Sequence, residues 1–263
     1  MLFFEWTPYV YGAFYRDSIV MLKVDTNKYL ALDPDTSKYM RFILNTAFSF
    51  DGNVYSAEGV VNSPIKEDNT SWETDNTIIF SKLNDCINTF LKEGLIEIAS
   101  SELRKNRVAV PKQNTGLAVQ EWFPKSHGVP LDKVLMMKGL YYLYKAHSAI
   151  KRHNIEGIVQ LLQKFSYKAQ PGHHSMEHSK LMSRAMDQAC TFYPRKTLCL
   201  PYAAALTIMH FAHGYDCDFI IGVQSIPFHS HAWVEVNNNV LTDNEELKEK
   251  MAYILRINHS GIY

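Results

Sequence analysis

The hydrophobic pattern changes period along this chain. Residues 18–24 (SIVMLKV) and 28–32 (KYLAL) are short β-type runs around the polar turn Asp25-Thr26-Asn27, a pattern that predicts a hairpin. Residues 9–15 predict a further strand. A helix over 36–48 follows, because Asp33-Pro34-Asp35 supplies the acidic and proline residues that suit a helix entrance. Residues 50–75 are polar and irregular and predict an exposed loop or insertion. Over 80–92 the period becomes helical, with Leu83, Ile87 and Phe90 on one face at i, i+4 and i+7. Gly94 ends that helix, and residues 95–99 predict a short strand.

Residues 104–130 hold Pro111, Pro124 and Pro130 with Gly116 and Gly128, the composition of a linker. From Leu131 the pattern is helical over 131–152 and 155–166, and its Leu, Met and Tyr residues read as core. A loop over 168–179 and a helix over 181–190 follow. A helix then starts at Cys199, with strands over 219–223, 232–236 and 240–242. The fold class predicted is α+β, with one domain over 1–105, a linker over 106–130 and a second domain over 131–263.

Composition narrows the function classes. The 27 basic and 27 acidic residues cancel, which argues against a general electrostatic nucleic-acid binder. The aromatic N-terminus lacks the basic region and small-residue cleavage site of a signal peptide. No apolar run approaches the roughly 18 residues that span a bilayer, so the expectation is a cytoplasmic protein without a membrane partner. Cys86, Cys190, Cys199 and Cys217 are too few for a disulfide framework, and no CxxC occurs. Reduced thiols fit best.

Cys199 is the thiol with a chemical setting. A nucleophilic cysteine needs a lowered pKa, from a helix N-terminus and a neighbouring imidazolium. Pro201 lies two residues on, suited to a first helical turn, and an apolar run continues to Phe211. This places the sulfur at the positive end of the helix dipole. His231 begins a strand, and Asp243 is expected on the next one. If Asn237-Asn238-Asn239 form a three-residue turn and Val236 pairs with Val240, Asp243 is the diagonal neighbour of His231 on one sheet face. The carboxylate then orients the ring and stabilises its charged form. His229 is the rival to His231, and Glu235 and Glu245 are rivals to Asp243. The second oxyanion-hole donor stays open, with Gln188 a guess outside the catalytic set.

His173, His174 and His178 draw the eye, but Pro171, Gly172 and interrupting serines suit a solvated loop, and no HExxH is present. No metal and no cofactor are predicted.

The stretch CLPYAAALTIMHFAHGYDCDFIIGVQSIPFHSHAWVEVNNNVLTDN resembles the leader peptidases, or B proteins, of lasso peptide biosynthesis, particularly the microcin type. The resemblance is close over 197–257 and looser from Leu131. It implies a transglutaminase-like (papain-like) cysteine protease domain over 131–263, with Cys199, His231 and Asp243 catalytic. It also implies a winged-helix-like precursor-recognition element over 1–105. There the leader would add as a strand along Tyr29, Leu30, Ala31 and Leu32, beside Leu83, Ile87 and Phe90. The implied partners are a precursor peptide and an asparagine-synthetase-like, ATP-dependent cyclase that closes the macrolactam. Two other readings stand beside it: a transglutaminase-type acyl transferase and a non-catalytic precursor-binding scaffold.

Overall fold

The computed structural model describes residues 1–57, 76–99, 132–241 and 243–263, with side chains from residue 82 onward in the helix that begins at Asn76. The predicted linker over 106–130 lies outside the described residues, as does most of the loop predicted over 50–75.

The N-terminal half runs β1 (Phe4–Trp6), β2 (Val10–Tyr15), β3 (Ser18–Lys23), β4 (Lys28–Ala31), α1 (Pro34–Asn45), β5 (Phe48–Phe50), β6 (Tyr55–Ala57), α2 (Asn76–Lys92) and β7 (Ile96–Ile98). β2, β3 and β4 form an antiparallel three-stranded sheet in that order, while β1 pairs with β7 and β5 with β6. Asp33 caps α1 by accepting the Thr36 N–H at 3.0 Å, and Pro34 opens the first turn. The helix stops short of its predicted end at 48. Phe48 instead pairs through its backbone with Leu2 and buries its ring. Residues 55–57 form a strand rather than loop, because the Asn84 side chain of α2 bonds both the N–H and the C=O of Tyr55.

Strands β2 and β3 of the three-stranded sheet are covered on both faces, while Leu30 and Ala31 of β4 are exposed. Val10, Phe14, Ile19 and Met21 point one way, into a small core with Phe4, Met40, Ile43, Leu44 and Phe48. Ala13, Tyr15, Val20, Leu22 and Val24 point the other way, into the large core of the C-terminal half. The unbroken apolar run of β3 is what such a strand requires.

Leu83, Ile87 and Phe90 were expected beside a bound leader. They are 1%, 0% and 4% exposed and fill the small core. The helical stripe that singled them out is the face that packs α2 inward, so they present no surface to a peptide.

The C-terminal half holds α3 (Lys133–Ser166), α4 (Met176–Phe192), α5 (Cys199–Ala212), β8 (Asp218–Gln224), β9 (His229–Val236), β10 (Asn239–Val240), α6 (Leu247–Lys250), β11 (Ala252–Asn258) and β12 (Gly261–Ile262). α3 breaks at His153 and Asn154, where Asn154 takes φ 51°, the division predicted between 152 and 155. α4 starts earlier than expected, because Ser175 caps it by accepting the His178 N–H. The five strands make one antiparallel sheet in the order β10–β9–β8–β11–β12. α5 lies against β8 and β9 and packs on α3 and α4, so every residue from Pro201 to Phe211 is buried. β2 of the N-terminal sheet rests on β11. No helix among the described residues is long and apolar enough to cross a membrane.

Leu22 is fully buried on the face shared with the C-terminal half. Leu22→Ala should therefore lower unfolding free energy by about 2–5 kcal/mol, read in a urea titration. Circular dichroism and protection of the buried Cys217 from alkylation should be lost in the same transition.

Candidate active site

Cys199 is the first residue of α5, and Leu198 before it has extended backbone and no side-chain cap. The first-turn N–H groups are thus left facing the sulfur's end of the helix, and the Leu200 N–H bonds the sulfur. Because the rest of the helix is buried, its end is held rigidly against β9.

His231 lies on β9 opposite Gly222 of β8. A Cβ on Gly222 would collide with the Trp233 ring, so this glycine makes room for the indole that stacks 6.1 Å from His231. The His231 Nε2 and the Asp243 Oδ2 are 2.6 Å apart. A side-chain hydrogen bond also joins His231 to Cys199. With Nε2 engaged by the carboxylate, Nδ1 is the ring nitrogen left for the sulfur. The structure thus brings Cys199, His231 and Asp243 into one contiguous array.

Asp243 arrives by a different route from the one predicted. Asn237 and Asn238 both take positive φ, 50° and 66°. That makes a two-residue turn, in which Asn239 pairs with Val236 and Val240 with Glu235. The register is one residue off the predicted one. β10 ends at Val240, and Asp243 reaches the ring from the bend that follows. Its Oδ1 accepts the Asn244 N–H at 2.9 Å, which fixes the carboxylate locally.

Electrostatics single out the same pair. Burial pushes the Cys199 thiol up. The hydrogen bond and charge of His231, with the Ala232 and Leu200 N–H groups, outweigh that, leaving it below the ordinary thiol value. Burial pushes His231 down, but Asp243 and the thiolate raise it to about 9. That displacement corresponds to roughly 3 kcal/mol of preference for the imidazolium. His231 is 7% exposed, so a charge there without these partners would be costly. The other three thiols go the opposite way. Burial raises Cys86, pushes Cys190 up to about 12, and holds Cys217 well above its ordinary value.

The rivals are otherwise engaged. The Glu235 carboxylate accepts from Trp233 Nε1 at 2.8 Å and from the Tyr253 hydroxyl at 2.5 Å. Glu245 accepts the Val240 N–H and pairs with Lys248. His229 stacks 6.2 Å from His231, and burial and that neighbour lower its pKa. His173 and His174 meet the backbone carbonyls of Gly214 and Asp216, and His178 meets the Ser175 hydroxyl. No group of three potential metal ligands occurs among the described residues.

The residues expected to bind a leader are dispersed. Leu30 and Ala31 are exposed, and Leu32 packs on the small core. Tyr29 turns instead toward the C-terminal half, where its ring meets Phe228. Neither Phe228 nor the supporting pair Gly222 and Trp233 stood out from the sequence, since their contacts arise across strands.

Residues 144–256 match the Transglutaminase-like superfamily. The C-terminal half is a transglutaminase-like domain. A curated relative, the Microcin J25-processing protein McjB of Escherichia coli, is 37% identical over 62 residues. That match covers 24% of this chain and 30% of the relative's length. No solved structure matches the chain.

The ion pair exists where Cys199 has lost its proton and His231 still holds one. Iodoacetamide alkylation of Cys199 should accordingly begin at a pH below that of an ordinary thiol. Removing the carboxylate lowers the affinity of His231 for its proton, and the thiolate loses part of its counter-charge. Asp243→Asn should shift the onset of alkylation to higher pH, with fold retained by circular dichroism. An unchanged profile would remove Asp243 from the array.

Proposed function

We propose that this protein is a cysteine peptidase of lasso peptide maturation, cutting a precursor peptide between leader and core. The observation that carries the reading is the Cys199–His231–Asp243 array at a helix N-terminus within a transglutaminase-like domain. The partial likeness to a microcin-processing protein supports a precursor peptide as the substrate class.

The Cys199 thiolate adds to the scissile carbonyl, forming a C–S bond and an oxyanion. In this reading the backbone N–H groups at the start of α5 donate to that charge. Collapse of the adduct breaks the C–N bond, and His231 delivers its proton to the departing core amine. Neutral His231 then takes a proton from water. The hydroxide adds to the thioester, and the leader leaves as a carboxylic acid with Cys199 restored. Asp243 keeps the ring oriented through both steps.

In this reading residues 1–105 form a winged-helix-like precursor-recognition element, 106–130 a linker and 131–263 the protease. β4 pairs only with β3 among the described residues, and Leu30 and Ala31 are exposed along it. Its open edge offers N–H and C=O groups to a leader that adds as a strand. The freed core amine passes to an asparagine-synthetase-like cyclase, which supplies the ATP-driven step in the cytoplasm.

The test is mass spectrometry of a cognate lasso precursor peptide, incubated with wild type and with Cys199→Ala, each with and without the cyclase. Wild type should release a leader fragment ending in a free carboxylate, and Cys199→Ala none. A leader joined to an added amine would instead identify an acyl transferase. Equal cleavage by Cys199→Ala would overturn the mechanism.

A further inference from the structure

Tyr29 belongs to the N-terminal sheet but sits at the site of the C-terminal half. In the antiparallel register Tyr29 faces Leu22, and Leu22 faces Tyr11. Cross-strand partners share a sheet face, and this is the face that joins the large core. At the edge of that face the Tyr29 ring lies 5.3 Å from the Phe228 ring, centroid to centroid, at 58°. The Tyr29 side chain also hydrogen-bonds Ser230. Phe228 immediately precedes β9, and Ser230 stands between His229 and His231 within it.

The turn leading into β9 is thus held from two sides. Gln224, wholly buried at the end of β8, donates from Nε2 to the Pro227 carbonyl at 3.0 Å. Tyr29 holds the other side from a separate sheet. Phe228 keeps 49% of its surface exposed, so the aromatic pair also forms part of the open surface beside the site. Burial raises the Tyr29 phenol, the Ser230 hydrogen bond works against it, and the negative Cys199 nearby adds a little more, so the hydroxyl stays protonated beside the thiolate.

We propose that Tyr29 is a positioning residue of the Cys199 site, clamping Phe228 and Ser230 so that the N-terminal sheet holds His231 in line with the sulfur. The clamp is a property of the fold, while its effect on turnover rests on the peptidase reading above. Since Tyr29 lies on the strand with the open edge, the strand that would receive a leader also supports the catalytic base.

Two readouts test this. The first is the pH profile of iodoacetamide alkylation of Cys199, which needs no substrate. The second is kcat and KM on the precursor peptide. Tyr29→Phe keeps the ring and removes only the hydroxyl. It should move the alkylation onset to higher pH and lower kcat roughly two- to tenfold, the effect of one lost hydrogen bond, with KM near wild type. Tyr29→Ala also removes the wall against Phe228 and should raise KM as well. A Tyr29→Phe protein that melts like wild type, with both alkylation profile and kcat unchanged, would overturn the proposal. A lowered melting temperature with the same alkylation profile would reduce Tyr29 to a packing residue and would overturn it too. If wild type leaves the precursor uncut while Tyr29→Phe still shifts the alkylation onset, the peptidase reading fails and the positioning role stands.

Discussion

One sheet serving two cores is the constraint on which the rest of this molecule depends. Alternate residues of β2 and β3 point into the small N-terminal core and into the large core that contains α5. Side chains in a strand alternate strictly, so a slip of one residue would exchange the two sets and disrupt both cores at once. That double burial specifies the register of the sheet and the seat of the N-terminal half on β11. It also sets Tyr29 against Phe228. The two halves are joined by packing as well as by chain.

The site rests on a balance between burial and partners. Its sulfur and imidazole are both largely removed from water, which on its own disfavours both charged forms. Each supplies the countercharge the other needs, and the Asp243 carboxylate tips the balance toward the ion pair. Cys190 and Cys217 show what happens without such partners: burial first, with nearby carboxylates adding to it, drives both toward inert thiols. Trp233, backed by Gly222 and tied to Glu235, walls one side of the imidazole. The Glu235 carboxylate, on the same strand as His231, is thereby committed to holding an indole.

Local signals in the sequence read well wherever the cause was local. Pro201 and the apolar run after Cys199 marked the start of α5, and Asp33-Pro34 marked the entrance to α1. The apolar stripe of α2 was also visible, but a stripe states only that one face is buried. Whether it packs on its own core or waits for a peptide depends on what lies opposite, and here α1 and the sheet cover it. The hairpin after β9 was read one residue too long. Two asparagines in the left-handed region close the turn tightly, and Asp243 meets His231 from a bend beyond the strand.

The order and types of most elements, and the side-chain chemistry offered by Cys199, His231 and Asp243, were legible along the chain. Periodicity, caps and turn residues act over a few neighbours and are written in the chain. Which carboxylate faces the imidazole, where Leu83, Ile87 and Phe90 are spent, and that Tyr29 reaches the C-terminal half were settled only in three dimensions. Those outcomes depend on side chains far apart in sequence meeting across a buried interface, where packing and desolvation choose among partners that local pattern leaves equivalent.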